Sequence, residues 1–139
     1  MTKAEKRSAF LRSIDDWNAH CPAYFDYFAE NARLDNIPPP LPPTVAGARQ
    51  FYGEIWRAFP DGELTIAELL VDGARIAYRY RFTGHHHAAY RDWPATGRLI
   101  EINQAASFLH LRRDGRCVAE WGVQGDDLFI QLEADLSQS

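Results

Sequence analysis

Near Pro60-Asp61-Gly62 the hydrophobic period of this chain changes from helical to alternating, and that change limits what the chain can fold into. Before it, apolar residues recur every three to four positions. After it, they recur every second position. Helices therefore come first and strands follow, which is the order of an α+β domain with helices packed on a sheet.

The helical half has clear boundaries. Thr2 and Glu5 have the spacing of a capping box. Phe10, Ile14, Trp17 and Cys21 then recur along one face. Pro22 suits the first turn of a second helix, with Tyr24, Phe25 and Phe28 on its buried side. Residues 33–37 read as extended. The proline run over 37–43 lacks backbone donors and restricts its neighbours, so it reads as a stiff loop. Thr44 caps a further helix whose apolar face is Val45, Ala48, Phe51, Tyr52, Ile55 and Phe59.

In the alternating half, Leu64, Ile66 and Leu70 interleave with Leu69 and Val71, so both faces look partly buried. Asp72-Gly73 signals a hairpin. Ile76, Tyr78, Tyr80 and Phe82 alternate with Ala77, Arg79, Arg81 and Thr83, a strand with two unlike faces. A loop over 84–97 carries His85-His86-His87. Residues 98–112 read as one long strand, or a strand with a bulge, interrupted by Asn103, Gln104 and Ser107. Asp114-Gly115 makes another turn, and residues 116–123 return. Asp126 or Asp127 caps a short helix over 128–132. All 139 residues read as a single domain, since that length suits one core.

Composition narrows the function classes. Apolar residues make up 46% of the chain and the net charge is −4 with interspersed signs, so no basic stripe invites nucleic acid. No apolar run is long enough for a membrane span, and the first twelve residues have no signal-peptide character. Cys21 and Cys117 are expected as free thiols, and the cytoplasm as the location.

The ordered series Ala58-Phe59-Pro60-Asp61, Thr83-Gly84-His85-His86, Pro94-Ala95-Thr96-Gly97-Arg98, Asp114-Gly115-Arg116, Glu120-Trp121 and Gln131-Leu132 resembles the SnoaL-like polyketide cyclases. These belong to the nuclear transport factor 2-like superfamily. The resemblance implies an α+β cone, with N-terminal helices packed in a curved, mostly antiparallel sheet around a cavity, and a homodimer paired through the open sheet. It also implies cofactor-independent acid/base catalysis on an aromatic or polyketide-like carbonyl compound, by a carboxylate and a histidine.

The family loop pattern, Gly-Thr-His, then an aromatic, then Pro-Pro-Thr-Gly, reads here as Gly84-His85-His86, Tyr90 and Pro94-Ala95-Thr96-Gly97. The family histidine therefore maps onto His86, and His85 replaces a threonine. The family carboxylate falls at Gly125 counted from Trp121, or at Gln124 counted back from Gln131. Neither is acidic, and the nearest carboxylates are Asp126 and Asp127.

The expected catalytic pair is His86 and Asp126, with Asp126 alternatively a helix cap. Trp56, Tyr78, Tyr90, Trp93, Asn103, Gln104 and Trp121 are the candidate substrate-binding residues for a small hydrophobic or aromatic ligand. Polar amides in mid-strand belong at a cavity or a subunit interface. No cofactor and no metal are expected. Of the three consecutive histidines, His85 and His87 share a side, but no third ligand has suitable spacing. The competing functional reading is a non-catalytic binding module of the same fold, or an isomerase or dehydratase relative.

Overall fold

The computed structural model describes residues 1–124 and 128–137. Helix α1 spans Lys3–Asn18, and Thr2 and Glu5 close the capping box at its start. A 3₁₀ turn over Pro22–Tyr27 follows, where the sequence suggested a full helix. Phe28 then begins strand β1, Phe28–Leu34, so it packs from a strand and not from a helix face. Helix α2, Val45–Ala58, starts at the Thr44 cap, whose hydroxyl accepts from the Gly47 N–H.

Four further strands follow: β2 Glu63–Asp72, β3 Arg75–His85, β4 Leu99–Leu111 and β5 Cys117–Gln124. Helix α3 spans Leu128–Ser137. The sheet order is β1-β5-β4-β3-β2. All neighbours are antiparallel except β1 and β5, which run parallel. The fold is α+β. No helix among the described residues is long and apolar enough to cross a membrane.

Two bulges set which side chains face the helices. In β2 the register slips between Ile66 and Glu68, so Ala67 is the extra residue. Leu64 and Ile66 face inward before it, whereas Leu69 and Val71 do so after it. That flip explains why both faces of this strand look apolar in the sequence. In β4, Tyr80 pairs with Ala105 but Phe82 pairs with Ile102. Asn103 and Gln104 are the displaced pair opposite Arg81.

The core lies between the inner sheet face and α1, α2 and the 3₁₀ turn. Phe10, Trp17, Phe25, Phe28, Phe59 and Phe82 are all buried there. Side chains of this size each contribute on the order of 1.5–3 kcal/mol when fully buried. Cys21 and Cys117 are not bridged.

Candidate active site

Alternation along β3, β4 and β5 brings Tyr78, Ser107 and Gly122 into one cross-strand row on the inner face. Glu120 is the next inward position on β5, paired with Leu109 of β4 and Leu34 of β1. It is 3% exposed, a carboxyl in the floor of the core. Tyr78 donates from its hydroxyl to Glu120 Oε2 at 2.9 Å. The Ser107 side chain also hydrogen-bonds to the Glu120 carboxyl.

Burial pushes the Glu120 carboxyl up from 4.5 to about 7, against the opposing pull of the bonds from Tyr78 and Ser107. Burial likewise raises the hydroxyls of Tyr24, Tyr52 and Tyr78, and the nearby carboxylate adds to each. These phenols stay protonated, and that of Tyr78 donates to Glu120.

Above this floor lies a cavity of about 260 Å³, walled by α1, α2, the inner sheet face and Leu128 of α3. Its lining includes Trp17, Tyr24, Tyr52, Tyr78, Tyr80 and Phe82, so the walls are aromatic with a few hydroxyls. Asn36 donates from Nδ2 to the Tyr52 hydroxyl at 3.2 Å. Asn36 Oδ1 and Trp17 Nε1 are buried without a hydrogen-bond partner, and both residues line the cavity. At the rim, Gln124 Nε2 donates to the Tyr80 hydroxyl at 3.4 Å.

Of the expected binding residues, Tyr78 lines the cavity. Trp56 lies behind the wall, 5.8 Å from the Trp17 ring and stacked on His20. Tyr90 and Trp93 pair through two backbone hydrogen bonds of 2.9 Å in the 84–97 loop. Tyr90 is wholly buried in that loop, outside the cavity lining. Asn103 and Gln104 are exposed at the β4 bulge. Trp121 is 52% exposed on the opposite sheet face, against Phe108.

His86 is fully buried and also stands outside the cavity lining. Its ring stacks on Phe59 at 5.5 Å, and Nδ1 is 3.1 Å from Thr96 Oγ1. Its N–H donates to Arg98 O and its carbonyl accepts from the Gly97 N–H, so it ties both ends of the loop together. Asp126 and Asp127 lie outside the described residues. The structure thus brings Tyr78 to the cavity and holds His86 apart from it.

Glu120 escaped the sequence reading because Glu120-Trp121 invites the opposite assignment, tryptophan inside and glutamate outside. The available signal was the spacing of Glu120, Gly122 and Gln124, which share one face of β5. Gln124 occupies one of the two positions where the family resemblance implies a carboxylate, and it reaches the cavity rim as an amide. The buried carboxyl stands four residues earlier, about 13 Å deeper along a strand at ~3.3 Å per residue. The fold adds a neighbour that spacing along the chain does not show. Asp61 stands beside His85 and His87 as a third potential ligand, although it is far from them in sequence.

Solved structures of low identity share this fold. AclR from Streptomyces galilaeus, for which a hydroxylase role has been suggested, has a TM-score of 0.80 at 20% identity, covering 96% of this chain and 98% of its own. TsrD from Streptomyces laurentii has a TM-score of 0.81 at 18% identity, covering 100% and 99%. A SnoaL-like polyketide cyclase from Agrobacterium tumefaciens has a TM-score of 0.71 at 19% identity, covering 96% and 99%. Comparison with curated proteins finds no match. The model of the SnoaL-like polyketide cyclase family matches residues 9–129, and the chain belongs to that family.

Proposed function

We propose that this protein is a cofactor-independent acid/base enzyme of the cyclase type, acting on an aromatic or polyketide-like carbonyl compound in the cavity above Glu120. The observation that carries this reading is the Glu120–Tyr78 pair, a carboxyl raised to about 7 and joined to a hydroxyl that lines the cavity. A base for proton abstraction beside a carbonyl works best when its pKa is near the working pH.

The proposed transfer is concerted. The Tyr78 oxygen accepts a proton from the carbon next to the substrate carbonyl as its own proton passes to Glu120. No free phenolate forms, which suits a phenol whose ionisation burial opposes. The Tyr24 and Tyr52 hydroxyls are candidate donors to the developing enolate oxygen. Trp17 Nε1 and Asn36 Oδ1 favour a ligand that offers one acceptor and one donor, because each buried polar atom left unpaired costs about 1–3 kcal/mol.

In this reading His86 holds the loop against the core. Asp126 is the alternative carboxylate, and Asp126→Asn with unchanged turnover removes it from the mechanism. The outer sheet face supports a homodimer. Leu70, Ala77, Phe108 and Trp121 stand in register across four strands, and three of them are large exposed apolar residues.

The first test is a thermal-shift screen of aryl ketones and β-keto esters. Ligands of the cavity should raise the melting temperature of wild type and Glu120→Gln alike, since binding uses the aromatic walls. A non-catalytic binder would show the same shifts but no turnover of any stabilising compound.

A further inference from the structure

Asp61, His85 and His87 converge at the end of β3, with one ligand atom from each within 4.8 Å of the others. None of the three lines the cavity. We propose that they form a surface binding site for a divalent transition-metal ion, with Zn²⁺ the best-matched occupant.

The donor set selects the class of ion. Two imidazole nitrogens and one carboxylate oxygen suit borderline ions such as Zn²⁺, Co²⁺ and Ni²⁺. Mg²⁺ and Ca²⁺ require mostly oxygen ligands. Two ligand atoms at about 2.1 Å from a tetrahedral ion stand roughly 3.4 Å apart. A spread within 4.8 Å therefore closes by small rotations of the imidazoles. Three protein ligands leave a coordination position to water.

The groups are held in place before any ion arrives. Asp61 Oδ1 accepts from the His85 backbone N–H at 2.8 Å, which fixes the carboxylate. Asp61 Oδ2 is 2.6 Å from His85 Nδ1, a contact the ion would replace. The backbone N–H of His87 donates to Ala58 O at 3.0 Å. Its ring lies face to face with that of His85, with centroids 5.5 Å apart. Between them, buried His86 points the other way, so the two outer imidazoles share one side.

The test is calorimetric titration of the full chain with Zn²⁺ in excess Mg²⁺, alongside Co²⁺ absorption spectra. Wild type should bind one equivalent, and the Co²⁺ spectrum should show nitrogen and oxygen ligation without a thiolate charge-transfer band. His85→Thr removes one imidazole and should weaken binding at least tenfold. His87→Ala and the isosteric Asp61→Asn should do the same, with melting temperatures in EDTA close to wild type. No binding by wild type, undiminished binding in all three variants, or a thiolate band from Cys21 or Cys117 would overturn the proposal. If a variant fails to fold, the wild-type Co²⁺ spectrum and the other two variants still decide.

Discussion

The hydroxyl of Tyr78 donates to Oε2 of Glu120 across 2.9 Å, joining a cavity wall to a carboxyl buried in the sheet floor. In water a glutamate would be ionised well below neutrality. Here burial raises it to about 7, so near neutral pH it can both take and return a proton.

That shift has a cost that can be measured. The folded protein retains a proton on Glu120 that the unfolded chain releases between about pH 4.5 and 7. Stability therefore falls as pH rises through that window, and the full cost persists above it. At ~1.4 kcal/mol per tenfold, the cost is roughly 3 kcal/mol. Glu120→Gln should remove it. The variant should match wild type near pH 4 and exceed it in melting temperature above pH 8. A difference independent of pH would mean that Glu120 ionises as an ordinary carboxyl.

Tyr78→Phe deletes the donor that favours the charged carboxylate. The Glu120 pKa should rise further above 7, as carbon-13 NMR titration of the glutamate carboxyls would show. Turnover should fall about 10²–10⁴-fold, the usual share of acid/base catalysis. An unmoved Glu120 titration would break the link between the pair.

Gly122 leaves room for the network. A Cβ at this position would collide with Ser107 Oγ and approach Ala106 O to 3.2 Å. Gly122→Ala should turn Ser107 away from Glu120 and cost roughly 1–3 kcal/mol as packing and hydrogen bonding are lost. In a Ser107→Ala background most of that cost should vanish. Denaturant unfolding of the four proteins in this double-mutant cycle measures the coupling. Additive effects would show that the two residues do not meet.

His86 provides a contrast between support and chemistry. It is buried, stacked on Phe59 and within hydrogen-bond distance of Thr96, so His86→Ala should destabilise by about 2–4 kcal/mol in urea unfolding. Turnover per folded molecule should fall less than tenfold. A loss of a hundredfold or more with unchanged stability would return His86 to the catalytic role expected from the sequence.

The exposed Phe108 and Trp121 rings lie 6.0 Å apart on the outer sheet face. If this face pairs two copies, Trp121→Glu should yield monomers in light scattering while cavity ligands still bind. An unchanged mass would place any dimer elsewhere.

Much of the fold was legible from periodicity and punctuation. The Thr2 and Thr44 caps, the turns at Asp72-Gly73 and Asp114-Gly115, and the unlike faces of β3 all follow from local chemistry. The parallel β1–β5 pairing was hidden, because nothing near Phe28–Leu34 specifies a partner almost 90 residues away in the chain. The bulge in β2 was hidden too, since one extra residue inverts the alternation that reveals the faces. The site was less legible than the fold. Tyr78 is legible as a cavity-lining residue because its strand alternates cleanly. Glu120 was missed because an outer aromatic patch reverses the usual rule that tryptophan points inward. His86 is legible through its motif, but a motif does not say whether the side chain lines the cavity or is buried outside it.

The most direct test of the central claim is deuterium exchange from solvent at the carbon next to the carbonyl of a cavity-bound aryl ketone, followed by NMR from pH 5 to 9. The account predicts exchange catalysed by wild type, rising with an apparent pKa near 7 as Glu120 ionises, and reduced at least a hundredfold in Glu120→Gln. Equal exchange in Glu120→Gln, or a wild-type profile without a step near 7, would contradict it.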